Sequence, residues 1–167
     1  MKITELNTIE PIKAQTLFKH CVNIPSWMAA LNAQRPYASK HALIQAAQVQ
    51  SSTWTWQEVK ASLDTHPRIG EKKAKQALSE QEQLLSEQEQ AGIVQNAVTL
   101  NALQQGNLAY ETKFGFIFLI KAAGLNSEMI LEQLQQRLNN DIETEKQIVK
   151  QQLAQIALLR LDQEIEA

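Results

Sequence analysis

This sequence contains a single cysteine, Cys21, so no internal disulfide can form, and the chain suits a reducing compartment. It has no excess of positive charge. Its formal net charge is -2, which leaves no basic field and argues against nucleic acid as a partner. No window approaches the roughly 18 apolar residues of a membrane span. The N-terminus, Met1-Lys2-Ile3-Thr4-Glu5-Leu6, lacks the apolar run of a signal peptide. The end, Glu164-Ile165-Glu166-Ala167, is not the Ser-Lys-Leu peroxisomal address. A soluble cytoplasmic protein with no membrane partner is therefore expected. The three histidines, His20, His41 and His66, are scattered and make no metal-ligand cluster with Cys21. Glycine and proline are also scarce, at five and four in 167 residues.

What remains is rich in Gln, Ala, Leu, Glu and Lys, a helix former's composition, and the length suits one domain with a real core. The expected fold is all-α, a bundle of about eight helices. Thr8 is expected to cap a helix with Pro11 near its start and Leu17, Phe18 and Cys21 on one face. Pro25 and Ser26 open a short helix, and Ser39 caps another that buries Leu43, Ala46, Ala47 and Val49. Thr55 and Glu58 have capping-box spacing for the next. From Gly70 the chain reads as helix to Gly106-Asn107, where the glycine is expected to end it. Within this run Leu78-Ser79-Glu80-Gln81-Glu82-Gln83 recurs as Leu85-Ser86-Glu87-Gln88-Glu89-Gln90. Either Ser79 or Ser86 could start a helix. Lys72, Lys73, Lys75, Glu80 and Glu82 read as a solvated face, and Trp27, Trp54 and Trp56 as core or interface. Phe114 to Ile120 is the most apolar stretch. With no partner strand it reads as helix or buried turn. Asn126 or Ser127 caps a helix facing Ile130, Leu131, Leu134 and Leu138 inward, and a last helix runs from about Ile142 to Ile165.

Two residues stand out chemically. His66 lies between Thr65 and Pro67, and a residue before proline is pushed toward extended geometry, so His66 should end a helix and sit on a loop. Its imidazole can exchange protons near neutral pH. Arg160 falls on the apolar stripe of Ile142, Val149, Leu153 and Ile156. It either snorkels, stem on the core and head in water, or aims into a cavity that receives an anion. Leu158, Leu161 and Ile165 lie on the opposite side of that helix, which would then be covered twice, by a second subunit among other options.

His66-Pro67, Ser86-x-x-Glu89-Gln90 with Ala91-Gly92, Asn107-x-x-Tyr110, Phe114-Gly115 and Leu159-Arg160-Leu161 follow one another as in the OHCU decarboxylases. Cys21, Trp27 and Arg35-Pro36-Tyr37-Ala38-Ser39 also resemble that family's N-terminal segment. The resemblance covers nearly the whole chain, 1–167, as one domain. It implies a homodimer that decarboxylates 2-oxo-4-hydroxy-4-carboxy-5-ureidoimidazoline (OHCU), a small ureidoimidazoline, to (S)-allantoin without a cofactor. It implies catalytic roles for His66, Glu89 and Arg160. Substrate-binding roles pass to Pro67, Ser86, Gln90, Ile117, Phe118, Leu119 and Ile120. Ser79, Glu82 and Gln83 are an alternative match to the Ser-x-x-Glu-Gln run, and Ile117 stands where some relatives carry proline. Glu89 could bind substrate N–H groups, orient His66, or complete a capping box with Ser86. A helical interaction module, using the Gln/Glu-rich 76–90 segment to bind a partner, is the competing reading.

Overall fold

A computed structural model describes residues 1–71, 79–92 and 97–166. The described residues form helices and no strand beyond an isolated bridge between Lys2 and Glu166. The helices are α1 (Ile3–Thr8), α2 (Pro11–Cys21), α3 (Pro25–Ala33), α4 (Lys40–Ser52), α5 (Trp56–Leu63), α6 (Glu80–Glu89), α7 (Ala97–Phe114), α8 (Ser127–Arg137) and α9 (Ile142–Glu164). The all-α expectation holds, and none of these helices is long and apolar enough to cross a membrane. The chain forms two compact units, one of Met1–Ser62 with Ala154–Ala167 and one of Leu63–Leu153.

In the first unit, local sequence sets most boundaries. Pro11 and Pro25 lie at the starts of α2 and α3, where a missing N–H costs nothing. Thr8 does not cap α2. It closes α1, its hydroxyl donating to the Thr4 and Glu5 carbonyls, and Glu10 occupies the cap position of α2 without a side-chain bond. Ser39 accepts from the Ala42 N–H at 3.1 Å, and the Thr55 N–H reaches Glu58 at 2.8 Å, as their spacing predicts. The core is aromatic at its centre: Trp27 meets Phe18 and Trp54 edge to face, its indole N–H donating to Ala47 O at 3.0 Å. Leu43 and Ala47 are buried, but Val49 is 64% exposed, because it falls off the stripe that those two define.

The second unit departs further from expectation. Lys72, Lys73 and Lys75 lie outside the described residues, as does part of the helix read from Gly70 onward. Ser79 is the residue that starts α6, with Glu82 completing a capping box. Ser86 and Glu89 therefore lie inside α6, not at its start, and Gln90 is the C-terminal cap residue. Gly106 does not end a helix, since α7 passes through it to Phe114. Here glycine serves close packing. A Cβ at Gly106 would come within 2.2 Å of Leu134 Cδ2, so the missing side chain is what lets α8 approach. Asn126 caps α8, accepting from the Met129 N–H at 2.9 Å. Ile142 is 43% exposed although it shares the stripe of Val149 and Leu153, because it is the first residue of α9, while those two are fully buried. Leu161 and Ile165, in the first unit, are buried by this chain alone, so the second covering does not require another subunit.

Candidate active site

The His66 loop begins where α5 stops. The His66 N–H donates to Leu63 O at 3.0 Å, one last turn, and Pro67 then prevents the helix from continuing. His66 is only 6% exposed, so it is buried rather than carried on an exposed loop tip. Downstream, three consecutive residues are tied down. The Arg68 guanidinium meets Glu111 through two bonds, Nε–Oε2 at 2.6 Å and Nη2–Oε1 at 2.8 Å. Ile69 O accepts from Asn107 Nδ2 at 3.1 Å, and the Gly70 N–H donates to Gln90 Oε1 at 3.0 Å. The bonds from Glu111 are the main cause holding the Arg68 guanidinium more firmly protonated than usual. Gly70 itself sits at φ +81°, a left-handed turn that a side chain would strain.

Ser86 is buried in the last turns of α6, whereas Ser79 is exposed and engaged with Glu82. Glu89 and Gln90 are half-buried at the end of that helix. The Gln90 carboxamide oxygen is taken by Gly70, which leaves its NH2 as the end that can donate. Serine, glutamate and glutamine of the second repeat thus stand on the same short helix end that holds the histidine loop.

The segment Phe116 to Ile120 is neither helix nor strand, so it is a buried irregular run rather than the helix that was one of the two expectations. Gly115, at φ +78°, lets the chain leave α7. Ile117, Phe118, Leu119 and Ile120 are each at most 7% exposed. Backbone buried without a ladder needs other partners. Leu119 O accepts from Arg137 Nη1 at 2.8 Å, and the Lys121 N–H donates to Gln152 Oε1 at 2.8 Å. Tyr110 sits among Phe114, Phe116 and Phe118, with ring centroids 4.6, 5.9 and 5.3 Å away. Its hydroxyl donates to Glu145, which also holds Arg137, with Arg137 Nη2 and Glu145 Oε2 2.9 Å apart. Burial, then the bond to Glu145, raises the Tyr110 hydroxyl well above the usual tyrosine range. The Arg137 guanidinium also stacks over Phe118 at 4.5 Å.

Arg160 belongs to the other unit. It is 4% exposed, so its head does not snorkel to water. Its Nη1 lies 3.5 Å from both His20 O and Cys21 O, the final carbonyls of α2, where a cation meets the negative helix end. Burial is the chief reason the neighbouring Cys21 thiol is pushed up, away from its reactive thiolate form. A groove of about 570 Å³ in this unit, lined by residues that include Gln34, Gln45 and Val49, contains none of the expected site residues. Among the described residues no three His, Cys, Asp or Glu side chains gather in a way that could hold a metal ion.

Sequence reasoning missed Arg68, Glu111, Arg137 and Glu145. The last two carried a signal: Arg137 continues the Ile130 and Leu134 stripe, and Glu145 precedes Val149 by one turn on another. Two opposite charges placed on the apolar stripes of neighbouring helices mark a candidate buried pair.

The sequence profile of the family described as OHCU decarboxylase matches residues 7–162. The chain belongs to that family. It is 28% identical, over 148 residues, to the "Uric acid degradation bifunctional protein TTL" of Arabidopsis thaliana, covering 86% of this chain and 45% of that protein. The chain thus spans about half the length of this curated relative. A crystal structure of an OHCU decarboxylase in the presence of (S)-allantoin superposes with a TM-score of 0.69 at 24% identity, covering 88% of this chain and 95% of that one. A crystal structure of (S)-allantoin synthase gives 0.71 at 17% identity, over 99% of this chain and 54% of that one. Both likenesses show the all-α fold of the OHCU decarboxylases in this chain.

Proposed function

We propose that this protein is a carboxy-lyase that converts OHCU to (S)-allantoin in urate breakdown, working as a cytoplasmic homodimer without a cofactor. The observation that carries this reading is the family match across residues 7–162, which spans every residue assigned a role. The substrate loses carbon dioxide from a carbon that bears a hydroxyl beside a ring carbonyl. The electron pair left behind spreads into that ring as an enolate-like anion, so the protein must bind, stabilise charge and deliver a proton to one face.

His66, Glu89 and Arg160 are the proposed catalytic groups. His66 either takes the hydroxyl proton or returns one to the carbanion, and its burial supports a dry, oriented proton donor. Glu89 accepts from ureido or ring N–H groups, or orients His66. With Ser79 and Glu82 forming the capping box of α6, the structural role once open to Ser86 and Glu89 is filled by other residues. That supports Ser86, Glu89 and Gln90, rather than Ser79, Glu82 and Gln83, as the functional copy. Arg160 presents a planar guanidinium suited to a carboxylate or oxyanion. Pro67, Ser86 and Gln90, with Ile117, Phe118, Leu119 and Ile120, hold the substrate, Gln90 donating through its NH2 to an acceptor atom.

The test replaces His66 with Asn and follows chiral product by circular dichroism from freshly generated OHCU. The expected result is loss of at least ~10²-fold in (S)-allantoin formation with an unchanged melting curve. Chiral product at the parent's rate would remove His66 from the mechanism.

A further inference from the structure

The His66 loop is fastened on both sides of the imidazole, and two of its three downstream ties use residues with no assigned role, the third being the Gly70 bond to Gln90. Asn107 and Glu111 are four apart on α7 and so share one face. From that face Glu111 takes the Arg68 side chain in a two-point bond and Asn107 takes the Ile69 carbonyl. Arg68 also closes a turn on itself, its carbonyl accepting from the Glu71 N–H at 2.9 Å, with Nη1 3.5 Å from Glu71 Oε2. The side chains of Arg68 and Glu111 are 30% and 21% exposed, a setting in which an ion pair adds little stability. What a bidentate guanidinium–carboxylate pair does supply there is orientation, since its two parallel bonds fix angle as well as distance. The object fixed is a loop without secondary structure, and two residues upstream of Arg68 stands the one histidine of this unit.

We infer that Arg68, Asn107 and Glu111 are positioning residues that lock the His66 imidazole in its working place by clamping its loop to α7. This rests on the decarboxylase reading for its catalytic consequence, though not for the clamp itself. Proton transfer is sensitive to placement, and a misplacement near 1 Å can cost up to ~10²-fold in rate. Loosening one of three ties should cost less.

The experiment compares the full-length parent with Glu111→Ala and Glu111→Gln. Steady-state kinetics on OHCU are read by circular dichroism, and His66 ring resonances and Gly70 amide exchange by NMR. For Glu111→Ala the clamp predicts kcat about 10-fold lower with KM within about twofold, shifted His66 ring signals and faster Gly70 exchange. Glu111→Gln keeps an acceptor and should fall between the two. If kcat stays within about twofold and the His66 and Gly70 signals match the parent, the clamp is refuted. It is equally refuted if kcat drops while those signals do not move. Should Glu111→Ala fail to fold, Arg68→Ala breaks the same pair from the loop side and carries the same criteria. An inactive parent would sink the decarboxylase reading alone, since the NMR signals still decide whether the loop is clamped.

Discussion

Arg137 and Glu145 form a buried ion pair, and breaking it from either side should be far worse than removing it whole. Glu145 is fully buried and Arg137 is 5% exposed. Replacing Glu145 with Leu takes away the acceptor for Arg137 Nε at 3.1 Å and Nη2 at 2.9 Å, and for Asn140 Nδ2 at 2.9 Å, along with the Tyr110 partner. The guanidinium is left with Leu119 O and the Tyr110 oxygen as neutral partners. An uncompensated buried charge costs about 3–5 kcal/mol, a large part of the ~5–15 kcal/mol that holds a typical domain. Arg137→Met strands the carboxylate instead and also releases Leu119 O, so a similar loss is expected. In Arg137→Met/Glu145→Leu neither charge remains, and most of the loss should return. Urea unfolding of the four proteins closes the cycle, with a coupling of about 2–4 kcal/mol expected between the two sites. At this size each single variant should melt roughly 6–20 °C lower. Two single losses below about 1 kcal/mol that simply add would refute the reasoning.

Gly106→Ala should destabilise by about 0.5–2 kcal/mol, because crowding against Leu134 outweighs the helix gain of losing a glycine; a rise in melting temperature would contradict it. Ser79→Ala removes the capping box and should cost about 1 kcal/mol, seen as faster amide exchange in the first turn of α6, while unchanged exchange there would mean the box contributes nothing. Tyr37 is buried, which pushes its hydroxyl from 10.0 up to about 12, and that hydroxyl donates to Leu31 O. Above pH 10 the unfolded chain therefore loses this proton and the folded chain keeps it. Stability should fall between pH 10 and about 12, and Tyr37→Phe should flatten that fall; equal slopes for both proteins would refute the assignment.

Where a feature is local, the amino-acid order was enough to read it. Ser39, Thr55 with Glu58, and Asn126 cap the helices their spacing predicts, since a cap depends on four or five neighbouring residues. The His66 loop was legible for the same reason, because Pro67 acts on the residue before it. Gly106 was misread because a glycine that ends a helix and one that admits a neighbouring helix look alike until Leu134 is seen beside it. As capping boxes the two copies of the tandem repeat look alike, and only the second is followed by Ala91-Gly92; the structure separates them further, with Ser79 starting α6 and Ser86 buried inside it. Thr8 shows the opposite error: a good cap residue used to close a helix through its own back-bonds. Contacts between distant residues, such as Arg68 with Glu111 across 43 positions, leave no local trace at all.

The most direct test is the optical one. Freshly generated OHCU is mixed with the parent and with His66→Asn, and the circular dichroism of allantoin is followed. The account predicts rapid growth of an (S)-allantoin signal with the parent and only slow, racemic, optically silent decay with the variant. A parent that gives no chiral excess, or a folded variant that matches its rate, would contradict it.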